Sequence, residues 1–250
     1  MTGAGLLKRM SGGAPITDPE GKYSTGIPDF DRLMGGGFRR GSFALFNLEG
    51  PLTTEDIHLL LTPTWLNFLR QSRGMLAVLP ARESPAQFRT ALLQHVTRRL
   101  FDSRVRIVDY IGESDPFSYV VTMGPKLPKA KAMRRMVEAE RAIHGARGRP
   151  FIEYNALEMM EGLFTADTAC RMILHGVKRA RLVGNLGLAL ARPGLACVEA
   201  ARSMMDYDFR LRRTPDGLQL VGDRPAFPAH FVLEDPRGGR PRVRLRRAAS

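Results

Sequence analysis

The chain has 250 residues, 44% hydrophobic and 25% charged, a composition that excludes an intrinsically disordered polymer and suits one large domain or two small ones. Its 38 Lys and Arg exceed 25 Asp and Glu by 13, a surplus that favours anionic partners: nucleic acid, acidic proteins or phosphates. Two cysteines, Cys170 and Cys197, exclude a disulfide scaffold, and every apolar stretch is interrupted by charge or proline, so the sequence predicts a soluble, cytoplasmic protein with no membrane span.

Residues 1–22 are rich in Gly, Pro and Ser and read as a flexible N-terminal leader, leaving 23–250 as the folded part. A short helix over Asp29 to Met34 is stopped by the glycines at 35–37. Ser42 to Leu48 is a buried-strand pattern. A helix from about Thr54 to Gln71 carries an apolar stripe through Leu59, Leu60, Trp65, Leu66 and Leu69, and Pro63 is expected to kink or split it. Met75 to Leu79 reads as a second strand. Ser84 caps a helix with Pro85 at its first position, and Phe88, Leu92, Val96 and Leu100 extend its apolar face. Val105 to Tyr110 is a third strand, Lys129 to His144 a helix, Pro150 to Tyr154 a fourth strand, Ala166 to Arg179 a helix, and Leu186 to Ala191 a fifth strand.

The end changes character. Tyr207 to Arg213, Leu218 to Val221, His230 to Leu233 and Arg242 to Leu245 read as short strands, with a hairpin turn at Pro215-Asp216-Gly217. Strands alternating with helices, then a run of strands, predict an α/β fold: a mostly parallel central sheet flanked by helices, with C-terminal antiparallel strands.

The basic residues cluster. Lys126, Lys129, Lys131, Arg134 and Arg135 open one cluster, and Arg242, Arg244 and Arg246 share one face of the last strand. These are the candidates for a nucleic-acid or acidic-partner surface, with a plain solvated surface or a guarded sheet edge as the alternatives. The five histidines are dispersed and no metal centre is expected.

After the first long strand a phosphate-binding protein places a Gly-rich loop whose N–H groups wrap phosphates, a Lys that neutralises charge, and a Ser or Thr for magnesium. Here the same place holds Gly50-Pro51-Leu52-Thr53-Thr54-Glu55-Asp56-Ile57. Ser24-Thr25-Gly26-Ile27-Pro28, Phe30-Asp31, Leu33-Met34-Gly35-Gly36-Gly37 and Gly41-Ser42 resemble the opening signature of KaiC-like and RadA-like members of the RecA ATPase superfamily. Glu49-Gly50-Pro51 resembles the lead into their Walker A loop, Glu83-Ser84-Pro85 their catalytic Glu-Glu-Ser-Pro segment, and Phe151-Ile152-Glu153 the strand that ends in their Walker B Asp. The resemblance implies a RecA-like P-loop NTPase fold, ATP chemistry between subunits in active members, and ring or filament assembly.

The departures from that pattern carry the functional reading. Aligned without gaps, the family's Walker Lys falls on Asp56, its magnesium Thr on Ile57, and its loop glycines on Thr53 and Glu55; the first catalytic glutamate is Arg82, leaving Glu83 as the weak residual candidate. No Lys lies between Lys22 and Lys126 to replace the missing one. Two unit charges ~4 Å apart interact by roughly 4 kcal/mol at an effective dielectric of ~20, so exchanging Lys for Asp swings phosphate binding by up to about twice that. Thr53 or Thr54 can instead cap an ordinary helix start, with Asp56 completing a capping box. Glu153, Glu158 and Glu161 could imitate a metal-binding Walker B group, and the plainer reading puts Glu158 and Glu161 on a helix exterior. The sequence thus predicts a degenerate Walker A and Walker B, no cofactor, and a non-catalytic regulatory or assembly subunit with a protein partner, such as an active RecA/KaiC-like relative. A DNA-binding recombination or repair accessory is the first alternative. An ATPase with an atypical nucleotide site, retaining some ATP binding, is the second.

Overall fold

The computed structural model describes residues 14–111, 117–124, 127–144, 148–235 and 242–248. The first elements are β1 (Lys22–Tyr23), α1 (Pro28–Leu33), β2 (Phe38–Arg39), β3 (Phe43–Glu49), α2 (Thr54–Arg70) and β4 (Gly74–Val78). There follow α3 (Pro85–Leu93), α4 (Arg98–Arg104), β5 (Val105–Asp109), β6 (Val120–Thr122), α5 (Lys129–His144), β7 (Phe151–Ala156), α6 (Leu157–Leu163), α7 (Ala166–Val183) and β8 (Leu186–Ala191). The last are α8 (Ala196–Ala201), β9 (Tyr207–Thr214), β10 (Gly217–Arg224), β11 (Ala226–Asp235) and β12 (Arg242–Arg247).

Among the described residues, β1 and β2 form a small antiparallel ribbon, and ten strands form one sheet in the order β12-β11-β10-β9-β3-β8-β7-β4-β5-β6. Every neighbouring pair from β9 to β6 is parallel, and every pair from β9 to β12 is antiparallel. The predicted fold class is the observed one. The strand alternation divides the core in two. Ala44, Phe46 and Leu48 of β3 and Met75 and Ala77 of β4 pack with α2, α3 and α4. Phe43 and Leu45 face α6, α7 and α8, while Leu76 and Val78 face α5. The connection after β4 therefore covers one face, and the connections after β5 and β7 cover the other. No helix among the described residues is long and apolar enough to cross a membrane.

Three local expectations change. Pro63 lies inside a single helix, which is not split. Pro63 removes one backbone donor, but the turn at Gly26 packs on it and Thr64 Oγ1 donates to the Thr25 carbonyl at 2.8 Å, so neighbours on both sides of Pro63 hold the helix. The helix expected to run through Val96 and Leu100 is two, because Thr97 Oγ1 accepts from the Leu100 N–H and starts α4. The loose leader expected over 1–22 is fastened in part. Ile16 N–H donates to Asn67 Oδ1 at 2.8 Å, and Asp18 pairs with Arg73; residues 1–13 lie outside the described residues.

The opening signature is a packed knot. Asp31 accepts from Ser24 Oγ at 2.6 Å and from both the N–H and Oγ1 of Thr25 at 2.8 Å. Gly26 has φ +76°, and a Cβ there would sit 2.5 Å from the Pro63 carbonyl oxygen, so no other residue fits.

Candidate functional site

β3 delivers Gly50 (φ +78°) to the carboxyl end of the parallel sheet, where α2 begins. Thr53 is the N-cap. Its Oγ1 accepts from Asp56 N–H at 3.3 Å, and Asp56 Oδ2 accepts from Thr53 N–H at 3.0 Å, which is the predicted capping box. Asp56 is 3% exposed, and its Oδ1 meets the guanidinium of Arg213 at the end of β9. Both oxygens of Asp56 are therefore engaged within the chain. Four of the loop's N–H groups, those of Leu52, Thr53, Asp56 and Ile57, are engaged as well. Leu52 donates to the Gly50 carbonyl at 3.0 Å, and Ile57 donates to the Thr53 carbonyl at 3.4 Å. A phosphate cradle needs such donors free and converging.

In front of this loop is a cleft of about 550 Å³ lined by Gly50, Thr53, Thr54, Glu55, Arg82, Glu158 and Arg192 among others. Arg192 follows β8 and reaches across it. Its Nε donates to Glu158 Oε2 at 3.1 Å and its Nη1 to the Gly50 carbonyl at 3.4 Å.

Glu83 is buried beside the cleft rather than open to it. Its Oε1 lies 2.8 Å from His58 Nε2, with both side chains at most 4% exposed, and Oε2 has no hydrogen-bond partner. His58 stacks edge-on against Trp65 and Phe88, so the helix after the loop holds this glutamate in the core.

The Walker B assignment of Glu153 is corrected. β7 runs on to Ala156, and Glu153 lies level with Gly187 and, through it, with Phe43. Phe43 precedes Gly50 by seven positions, roughly 20 Å at ~3.3 Å per residue. Glu153 thus sits toward the amino end of its strand, where Asn185 Nδ2 donates to its Oε1 at 3.1 Å. Burial pushes its carboxyl up to about 7, with the Asn185 hydrogen bond opposing, Glu140 adding and Arg179 opposing. Glu158 and Glu161 are not idle on a helix exterior. Glu158 holds Arg192, and Glu161 accepts from the N–H groups of Ala196 and Cys197 at the start of α8.

The basic candidates are not brought together. Lys126 and the side chain of Lys129 lie outside the described residues. Lys131, Arg134 and Arg135 are exposed on α5; Arg134 pairs with Glu138 at 3.7 Å, and Arg135 donates to the Thr122 carbonyl of β6. At the opposite sheet edge β12 carries Arg242, Arg244 and Arg246. Arg244 Nε pairs with Asp29 at 2.7 Å, Arg246 lies over the Phe231 ring, and the side chain of Arg242 lies outside the described residues. Ten strands at ~4.8 Å separate the two clusters by roughly 40 Å. Among the described residues no three His, Cys, Asp or Glu side chains gather as metal ligands.

Residues 13–117 match the family described as GvpD basic region 2. The chain is similar to protein GvpD2 of Halobacterium salinarum, 25% identical over 249 residues covering 92% of this chain and 48% of that one. It is 34% identical to protein GvpD1 of the same organism over 262 residues, covering 86% of this chain and 49% of that one. The chain thus spans about half the length of the curated relatives it matches. Among solved structures it is similar to the KaiC-like protein of the hyperthermophilic archaeon Pyrococcus horikoshii, with a TM-score of 0.62 at 11% identity, covering 91% of this chain and 99% of that one.

The chain has a KaiC-like RecA fold.

The fold places residues 50–57 at the turn from β3 into α2, at the carboxyl end of the parallel strands. It also brings in three residues that sequence reasoning did not single out for the site. His58 carried a signal, because it shares the buried stripe of α2 with Leu61 and Trp65. Arg213 and Arg192 carried none, since each reaches the loop from a strand distant in sequence.

Proposed function

We propose that this chain is a RecA-fold regulatory or assembly subunit that does not hydrolyse Mg·ATP and acts, in the cytoplasm, by docking on a protein partner. Its likeness to GvpD1 and GvpD2 supports a place in a gas vesicle protein system. One observation carries the non-catalytic part: Asp56, in place of the Walker Lys, is buried with both oxygens engaged by Thr53 and Arg213. An incoming triphosphate would meet a carboxylate, the already engaged N–H groups of Leu52, Thr53, Asp56 and Ile57, and the Arg192–Glu158 pair. Neither a phosphate nor magnesium finds its usual ligands there.

The test is thermal unfolding with and without ATP and magnesium. A ligand at about 100 times its Kd adds roughly 2.7 kcal/mol to the folded state. The expected result is no magnesium-dependent rise in Tm at millimolar ATP. A rise of several degrees, lost on removing magnesium, would overturn the proposal.

A second reading, DNA binding, rests on the exposed Lys131, Arg134 and Arg135 of α5. It requires duplex affinity that falls steeply with salt, as neutralised phosphates release counterions. Pull-down of a defined protein partner together with salt-insensitive or absent DNA binding supports the first reading over the second.

A further inference from the structure

Beside the loop cleft lies a second crevice of about 480 Å³, outside the carboxyl ends of β4 and β5. Pro80 and Arg82 line both spaces, so the short segment after β4 is the wall between them. The chain leaves β4 toward α3 and α4 on one face of the sheet and leaves β5 for β6 and α5 on the other. Such divergence opens a gap at the strand ends, where ligands of open α/β sheets settle.

The lining defines the ligand chemistry. Glu83 lines the crevice with its side chain 3% exposed and its Oε2 without a hydrogen-bond partner. Asp109, 8% exposed, lines it from β5, its Oδ1 accepting from the Ile111 N–H at 3.0 Å. The remaining walls carry Tyr110, Ile111, Phe117 and Met159, with Ser84 and Gln87 beside them and the exposed Arg82 on the side shared with the loop cleft. Ile111 and Phe117 are each 44% exposed, unusual for side chains of their size. A buried carboxylate oxygen with no partner is costly unless something positive or protic meets it. Acid beneath, with apolar and aromatic walls above, fits a cation on an apolar stem, and a flat guanidinium gains further from aromatic faces. Anionic ligands meet the Glu83 and Asp109 carboxylates, and among the described residues no third metal ligand joins them.

We propose that the crevice between the carboxyl ends of β4 and β5 binds an alkyl guanidinium or ammonium group, a function distinct from that of the loop cleft. The group can be a free amine or an arginine or lysine side chain of another protein.

Titration calorimetry with butylguanidinium, butylammonium and neutral butanol tests this. Both cations are expected to bind at least about tenfold more tightly than butanol. Glu83→Gln is expected to weaken butylguanidinium binding by about tenfold or more. Ala86→Phe, at an exposed position of α3 that lines the crevice, should abolish binding with Tm unchanged, which keeps the test valid if Glu83→Gln folds poorly. Tighter binding of a Gly-Arg-Gly peptide than of butylguanidinium assigns the group to a protein, and the reverse order to a free small molecule. Equal binding of butanol, no cation binding at about 10 mM, or an Ala86→Phe variant that binds as well as wild type would overturn the proposal.

Discussion

Residues 24–37 match the opening signature that the sequence suggested, whereas residues 50–57 depart from the phosphate loop it led one to expect after β3. In the first, every characteristic side chain has its partner inside the chain: Asp31 holds Ser24 and Thr25, and Gly26 makes room for Pro63. In the second, the loop that the sequence resemblance implied would have its partners in a nucleotide. Here those positions hold Thr53, Glu55, Asp56 and Ile57, and Asp56 has found internal partners in Thr53 and Arg213. The difference teaches that a motif contains two kinds of residue. Those that hold up the fold are required whatever the protein does, whereas a loop position such as 56 can hold any residue that finds a partner inside the chain.

The comparison can be broken most sharply at Gly26. Gly26→Ala combines a left-handed φ with a clash against backbone, and should destabilise by about 3–4 kcal/mol in urea unfolding. A cost below about 1 kcal/mol would show that the opening signature is not held by packing.

Glu153 sharpens it from outside both regions, as an acid that resembles a motif by sequence but is spent on the core. Unfolded, its carboxyl loses the proton near 4.5; folded, near about 7. Between those values the native state binds the extra proton, so this contribution is complete below pH ~4.5 and is lost as pH rises through about 7, by up to about 3 kcal/mol. Glu153→Gln should flatten that part of the stability–pH curve, measured by urea unfolding at a series of pH values. An unchanged slope would mean that another group sets it.

Asp56→Ala removes a capping interaction and leaves Arg213 without its carboxylate, for about 2 kcal/mol. Stability equal to wild type would argue that Asp56 is not an internal helix cap, which is the core of the comparison. Arg213→Ala should cost under about 1 kcal/mol, because its side chain is 46% exposed and solvent screens the pair.

Much of the fold was legible because its signals are local. The apolar run of β3, the Ser84-Pro85 start of α3 and the Pro215-Asp216-Gly217 turn each depend on adjacent residues. The continuous helix expected through Leu100 failed because Phe88, Leu92, Val96 and Leu100 keep helical spacing across a break that only the Thr97 cap reveals. The candidate site was half legible. Substitutions at residues 53–57 could be read directly, and so could the capping box. Strand register decided the place of Glu153, and register is a property of neighbours rather than of the strand itself. The reach of Arg192 and Arg213 depended on the sheet order β9-β3-β8, which no local pattern encodes.

The cap at the start of α2 also bears on what position 56 can hold. A lysine there would strip Thr53 of its reciprocal bond and set a second cation against Arg213. The Gly50 carbonyl would still be turned toward Arg192. A lysine at position 56 is therefore uphill for the fold before it can help any ligand, so the helix start itself selects for an acid there.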